Sequence, residues 1–158
     1  MFETLIVPLD GSDLSEAALE PAKEIAAKFG ARVILLRAVE PVAHLIAQQS
    51  PMVMESPAAA EANVELLEEV VEAEEKDAAA YLQDVQAHFG ENAEAIVTDA
   101  DAADAIVDTA HDRNAGLIVM ASHGRGGLGR ALFGSVADSV LRRSRVPVLL
   151  IRLEEEDS

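Results

Sequence analysis

The sequence predicts an α/β protein built on a single open parallel sheet, and three observations carry that expectation. Short apolar runs alternate with longer stretches of helical periodicity. The apolar runs are nearly continuous, as expected of strands buried on both faces. The chain has 158 residues, half of them hydrophobic, which suits one layered core at roughly 100–200 residues per domain.

The elements follow in order. Leu5–Leu9 (LIVPL) is the first strand. Asp13-Leu-Ser-Glu16 reads as a capping box, after which Ala17, Ala18, Ala22, Ile25, Ala26 and Phe29 recur at helical spacing until Gly30 stops the helix. Val33–Val39 (VILLRAV) is the second strand. Residues 41–60, with Pro41, Pro51 and Pro57, read as an irregular excursion in which Met52 and Met54 offer an adaptable apolar surface. A long helix from about Glu61 to Phe89 turns Val64, Leu67, Val71 and Ala78 inward and the acidic run Glu68–Asp77 to solvent. Glu94–Thr98 is the third strand, and Asp101–Arg113 a helix with Ala105, Ile106 and Ala110 inward. Leu117–Ala121 (LIVMA) is the fourth strand. A Gly-rich loop leads to a helix over Ser135–Arg143 and a fifth strand over Val146–Ile151. One domain thus spans residues 1–153, followed by a short acidic tail, residues 154–158. Five strands and four helices in βαβ order put helices on both faces through right-handed crossovers. In such sheets a ligand lies beyond the carboxyl ends of the strands, where strand order reverses.

Charge narrows the partners. With 29 acidic residues against 12 basic and a net −17, the chain repels nucleic acid and anionic membrane surfaces. The charge is unevenly spread: Arg125 to Arg152 holds six arginines and one acid, Asp138, a local +5. Arg125 and Arg130 are placed to serve an anionic ligand there, and Arg142, Arg143 and Arg145 to meet acidic surface or a partner subunit. The absence of cysteine excludes disulfides, thiolate catalysis and Cys-built metal sites. Met1 leads into an apolar run without a basic leader, and no apolar stretch reaches the ~18 residues of a membrane span. A soluble cytoplasmic protein without membrane insertion is expected.

The strongest chemical signal runs from Ala121-Ser-His-Gly124 to Gly134-Ser135. Five glycines in eleven residues (Gly124, Gly126, Gly127, Gly129 and Gly134), set between a strand and a helix, let backbone N–H groups approach an anion closely. Gly134-Ser135 starts the helix, where free N–H groups and the dipole favour phosphate. The plain alternative is a Gly-rich solvent loop. Gly124-x-Gly126-x-x-Gly129 matches a dinucleotide fingerprint, but only one strand follows, so the second half of such a site is missing. Gly124-x₄-Gly129 opens like a P-loop, yet Arg130-Ala131 replaces the Lys and Ser/Thr that P-loop hydrolysis needs.

A second signal, Pro8-Leu-Asp10-Gly11-Ser12, closes the first strand. Asp10 is suited to accept hydrogen bonds from ribose hydroxyls or to help hold a metal; alternatively, Asp10 or Ser12 caps the first helix. Ser122 and His123 point in opposite directions on an extended segment, so they build no triad with Asp10. His44, His88 and His111 lie singly, without metal-ligand spacing, and read as surface residues.

With these motifs placed, the chain resembles the universal stress protein family, in its nucleotide-binding branch, from about Phe2 to Leu153. That branch carries Gly-x₂-Gly-x₉-Gly-Ser/Thr after strand four; here it reads Ala121-x₂-Gly124-x₉-Gly134-Ser135. The segments IVPLDGS and VLRRSRVPVLLIR are also similar to the family's. The resemblance implies a Rossmann-like sheet in order 3-2-1-4-5 and an ATP-binding stress-response or signalling module with little or no ATPase activity. It implies ATP, or AMP or another adenine nucleotide, between strands one and four, with Mg²⁺ or Mn²⁺ bound through the phosphates. It also implies a homodimer through Val146–Ile151 and a regulatory protein partner. Carried over, Pro8 and Asp10 lie near the ribose or adenine, and Ala38 reads the adenine through its backbone. Ala121 takes the first glycine position, Gly124, Arg125, Gly126 and Gly127 wrap the phosphates, and Gly134, Ser135 and Val136 present the helix start. No catalytic residue is implied. Ala38 and Ala121 depart from the family's valine and glycine, and the added methyl of Ala121 bears on how closely the ligand approaches. A nucleotide-independent interaction protein and an adenine-nucleotide hydrolase are the alternative functions.

Overall fold

The computed structural model describes residues 1–49, 56–124 and 133–154. Five parallel strands, β1 (Thr4–Pro8), β2 (Arg32–Val39), β3 (Ala93–Asp99), β4 (Leu117–Gly124) and β5 (Val148–Glu154), form one sheet in the order β3-β2-β1-β4-β5. The helices are α1 (Asp13–Glu16), α2 (Leu19–Phe29), α3 (Val42–Gln48), α4 (Pro57–Phe89), α5 (Ala102–Asp112) and α6 (Ser135–Arg143). Strand alternation divides the core in two. Leu5, Val7, Val33, Leu35, Leu117 and Val119 pack towards Ala22 of α2 and Leu82 and Val85 of α4. Ile6, Ile34, Leu36, Ile118 and Met120 pack towards Ile106 and Ala110 of α5 and Ala137 and Val140 of α6. The central strands read as unbroken apolar runs because both faces are covered, and each fully buried aliphatic side chain contributes about 1.5–3 kcal/mol.

The fold differs from the sequence expectation at several joints, each with a local cause. The single helix expected from Asp13 to Phe29 is two, α1 and α2. Pro21 lies in the first turn of α2, where its missing N–H has no intrahelical partner; a helix continuous from Asp13 would place its ring against the Ala17 carbonyl. The turn between them tightens, with the Ala17 and Ala18 N–H groups donating to the Leu14 and Ser15 carbonyls. The cap is Ser12, not Asp13: its Oγ accepts from the Ser15 N–H at 3.2 Å. Glu16, expected to close the capping box, instead accepts the Tyr81 hydroxyl at 2.9 Å. Phe29 is 55% exposed and meets Phe2 edge-on with ring centroids 5.3 Å apart, so it is not a core residue.

The excursion over residues 41–60 is not wholly irregular. Pro41 introduces α3, and α4 begins at Pro57, ahead of the expected Glu61, because Ser56 accepts from the Ala59 N–H at 3.1 Å and Pro57 suits a first helical position. Met52 and Met54 lie outside the described residues. β4 runs past Ala121 to Gly124 because β5 starts and ends later than Val146–Ile151, pairing Ala121 with Ile151 and Gly124 with Glu154. The Ser144 side chain bonds both the Val146 N–H and its carbonyl, at 3.0 and 2.8 Å, holding that residue in a turn before the strand. Glu154 therefore belongs to β5 and not to the acidic tail; residues 155–158 lie outside the described residues.

Candidate functional site

β1 and β4 pair only at Leu5–Leu117 and Ile6–Ile118, whereas β1 stays bonded to β2 through Pro8–Leu36 and β4 to β5 through Gly124–Glu154. The two central strands therefore part at their carboxyl ends, where strand order reverses. A cleft of about 510 Å³ opens there on the α5/α6 side of the sheet, within the usual ~300–1,000 Å³ of small-molecule sites. Leu36, Ala38, Ile106 and Met120 give it an apolar wall, while Asp10, Ser15, Ser122 and Ser135 bring polar groups to it. A concavity at the amino-terminal edge, lined by Glu3, Arg32, Glu91 and Glu94 among others, is larger at about 600 Å³. It lacks the apolar wall and lies at the opposite end of the strands from every predicted site residue.

The start of α6 supplies the cleft's electropositive end. Gly134 is the N-cap, with φ 82° and ψ 160° and no side-chain cap. The first intrahelical bond runs from the Asp138 N–H to the Gly134 carbonyl at 3.0 Å. The N–H groups of Ser135, Val136 and Ala137 thus lack helix partners at an end whose dipole favours an anion. A glycine suits Gly134 because an L side chain disfavours that positive φ. The Ser122 hydroxyl donates to the Phe133 carbonyl at 2.7 Å, and the Arg152 guanidinium lies 5.9 Å from the centre of the Phe133 ring. These contacts join the end of β4 and β5 to the residue just before the cap.

Asp10 lines the same cleft from the end of β1. The Ser12 N–H and hydroxyl both donate to its Oδ1, at 2.8 and 2.5 Å, forming a local turn ahead of α1. Burial pushes its carboxyl up, but the Ser12 hydrogen bonds, with lesser help from Ser15 and the Arg37 charge, outweigh it and hold the group below the ordinary carboxylate value. Asp10 is the one carboxylate among the described lining residues, and the described residues hold no cluster of three His, Asp or Glu side chains fit for a metal. His44, His88 and His111 are exposed, as the sequence suggests.

The structure brings Pro8, Asp10, Ala38, Ala121, Gly134, Ser135 and Val136 together around the one cleft. Gly124 ends β4 opposite Glu154. Arg125, Gly126 and Gly127 lie outside the described residues. Ala121 has regular strand pairing with Ile151, and Asn114 is the only non-glycine residue with positive φ among the described residues, so the alanine imposes no backbone strain. The lining also includes Leu36, Ala102 and Met120, which the sequence motifs do not single out, and Ser15, Ser122 and Phe133, which lie in or beside those motifs without being read as ligand-binding. Leu36 and Met120 are reachable by strand alternation once the cleft is assigned to the face of Ile6 and Ile34. The Ser122 hydroxyl, bonded to the Phe133 carbonyl, ties the end of β4 to the residue before Gly134.

Comparison with known proteins agrees with this geometry. The model of the universal stress protein family matches residues 1–152. A universal stress protein of Methanocaldococcus jannaschii is 30% identical over 157 residues, covering 99% of this chain and 86% of the relative. One from Thermus aquaticus is 33% identical over 153 residues, covering 96% and 100%. Among solved structures, the universal stress protein UspA from Lactobacillus plantarum superposes with a TM-score of 0.73 at 23% identity, covering 96% and 98% of the two chains. A universal stress protein solved in complex with cAMP has a TM-score of 0.62 at 25% identity, covering 96% and 97%. With its sheet order, its cleft at the parting of β1 and β4 and a family match over nearly its whole length, the chain belongs to the universal stress protein family.

Proposed function

We propose that the protein is an ATP-binding signalling or stress-response module that works as a homodimer. The observation that carries this reading is the uncapped start of α6, opening on a cleft with an apolar wall. An adenine base fits Leu36, Ala38, Ile106 and Met120, a ribose hydroxyl fits the Asp10 carboxylate, and phosphates fit the N–H groups of Ser135, Val136 and Ala137. The relative solved with cAMP supports an adenine nucleotide as the ligand class. With a single lining carboxylate among the described residues, Mg²⁺ or Mn²⁺ is proposed to be held through the phosphates. Hydrolysis is proposed to be slow, because Asp10 is committed to Ser12 and its lowered pKa makes it a weak general base. Dimerisation is assigned to the outer edge of β5, and nucleotide occupancy is proposed to alter recognition of a regulatory partner. The test is mass spectrometry of small molecules released on denaturation, together with melting temperature against ATP concentration. Released adenine nucleotide and a rise in melting temperature are expected; neither appearing would leave a nucleotide-independent interaction protein as the better reading.

A further inference from the structure

We propose that Arg37 is a positioning residue for the nucleotide site, bracing the Asp10-Gly11-Ser12 turn from the opposite face of the sheet. The proposal rests on the nucleotide reading above but also makes a claim about the ligand-free protein. Arg37 follows Val33 and Leu35 on the face of β2 that meets α4, away from the cleft wall of Leu36 and Ala38. Its guanidinium carbon lies 5.7 Å from the centre of the Tyr81 ring, a cation–π distance. The Tyr81 hydroxyl in turn donates to Glu16 Oε1, joining α4 to α1.

The far end of Arg37 reaches the turn itself. Its Nη1 lies 2.6 Å from where a Cβ on Gly11 would stand, and Gly11 has φ +83°. Glycine therefore admits both the backbone conformation and the guanidinium. The Arg37 Nε is buried and has no hydrogen-bond partner among the described residues. Withdrawing part of a cation from water without a partner is unfavourable unless opposite charge lies close by. Asp10, the neighbour of Gly11 in the turn that Arg37 Nη1 reaches, is the carboxylate this charge acts on, as the smallest of the influences that lower its carboxyl pKa. Both Ser12 hydrogen bonds fall on Oδ1. Arg37 thus braces the turn that holds the Asp10 carboxylate at the lining of the cleft.

The experiment uses the full chain with Arg37→Met, Arg37→Lys and Asp10→Asn, singly and combined. Amide exchange at Asp10 and Ser12 is measured without ligand, and ATP affinity by calorimetry. Arg37→Met is expected to speed exchange at the turn and to weaken ATP, each by about tenfold. Arg37→Lys is expected to recover part of both, because it keeps the charge but not the planar stack. In the Asp10→Asn background Arg37→Met is expected to add less than about twofold, since the two act as one unit. A loss of melting temperature with turn exchange and ATP affinity unchanged would overturn the proposal, as would full additivity with Asp10→Asn. If wild-type protein binds no ATP, the nucleotide reading fails and turn exchange alone decides the brace. If Arg37→Met does not fold, Tyr81→Leu removes the stack and must speed turn exchange for the proposal to stand.

Discussion

Asp10 is the residue on which the site's chemistry and the local fold meet. Its carboxyl is held below the ordinary value of 3.8, so its ionised form contributes stability above that pH and the contribution is lost as pH falls through the lowered value. Asp10→Asn should therefore cost most at neutral pH. In urea unfolding, the gap between variant and wild type is expected to hold above pH 3.8 and to close as the pH falls below it; a gap that widens on acidification contradicts this. Ser12→Ala removes the cap of α1 as well as the hydroxyl donor to Asp10, and should lower stability by about 1 kcal/mol. Ser135→Ala and Gly124→Val should weaken ATP binding while sedimentation still reports a dimer. At this scale the sequence is only half legible. It offers Asp10 as ligand, or Asp10 or Ser12 as cap, and the structure gives the cap to Ser12 and leaves Asp10 a turn of its own. Arg37 is invisible in sequence because its partners, Gly11 and Tyr81, are distant in the chain and meet only through the fold.

The elements are legible where one signal dominates. Continuous apolar runs mark β1, β2 and β4, and Gly134-Ser135 marks the start of α6. They are less legible where two signals compete: Pro21 divides a run with unbroken helical periodicity, and Pro57 opens a helix where a proline reads equally as a breaker. The arginines of α6 are also used within the fold. Arg142 pairs with Asp138 at 2.9 Å, and Arg143 reaches Asp104 of α5 at 2.6 Å. Both pairs are largely exposed, so Asp104→Ala should cost no more than about 1 kcal/mol. β5 is an edge strand with Leu149 and Leu153 at 36% and 40% exposure, an apolar row suited to pairing with another copy. Leu149→Lys should shift sedimentation from dimer to monomer; a dimer unaffected by it would move the interface elsewhere.

Across the whole molecule, the net −17 works against compactness through self-repulsion. Salt should raise the melting temperature as the screening length falls from about 30 Å at 0.01 M to about 8 Å at 0.15 M. The same field disfavours anions over the surface in general, and the uncapped start of α6 offers a local counterweight in its free N–H groups. The central claim is the proposal that these serve the phosphates of an adenine nucleotide. Calorimetric titration of the purified wild-type protein with ATP and with adenosine tests it most directly. ATP is expected to bind with Kd of about 1–100 μM and adenosine at least about tenfold more weakly. Equal affinity for the two, or no ATP binding at all, would contradict it.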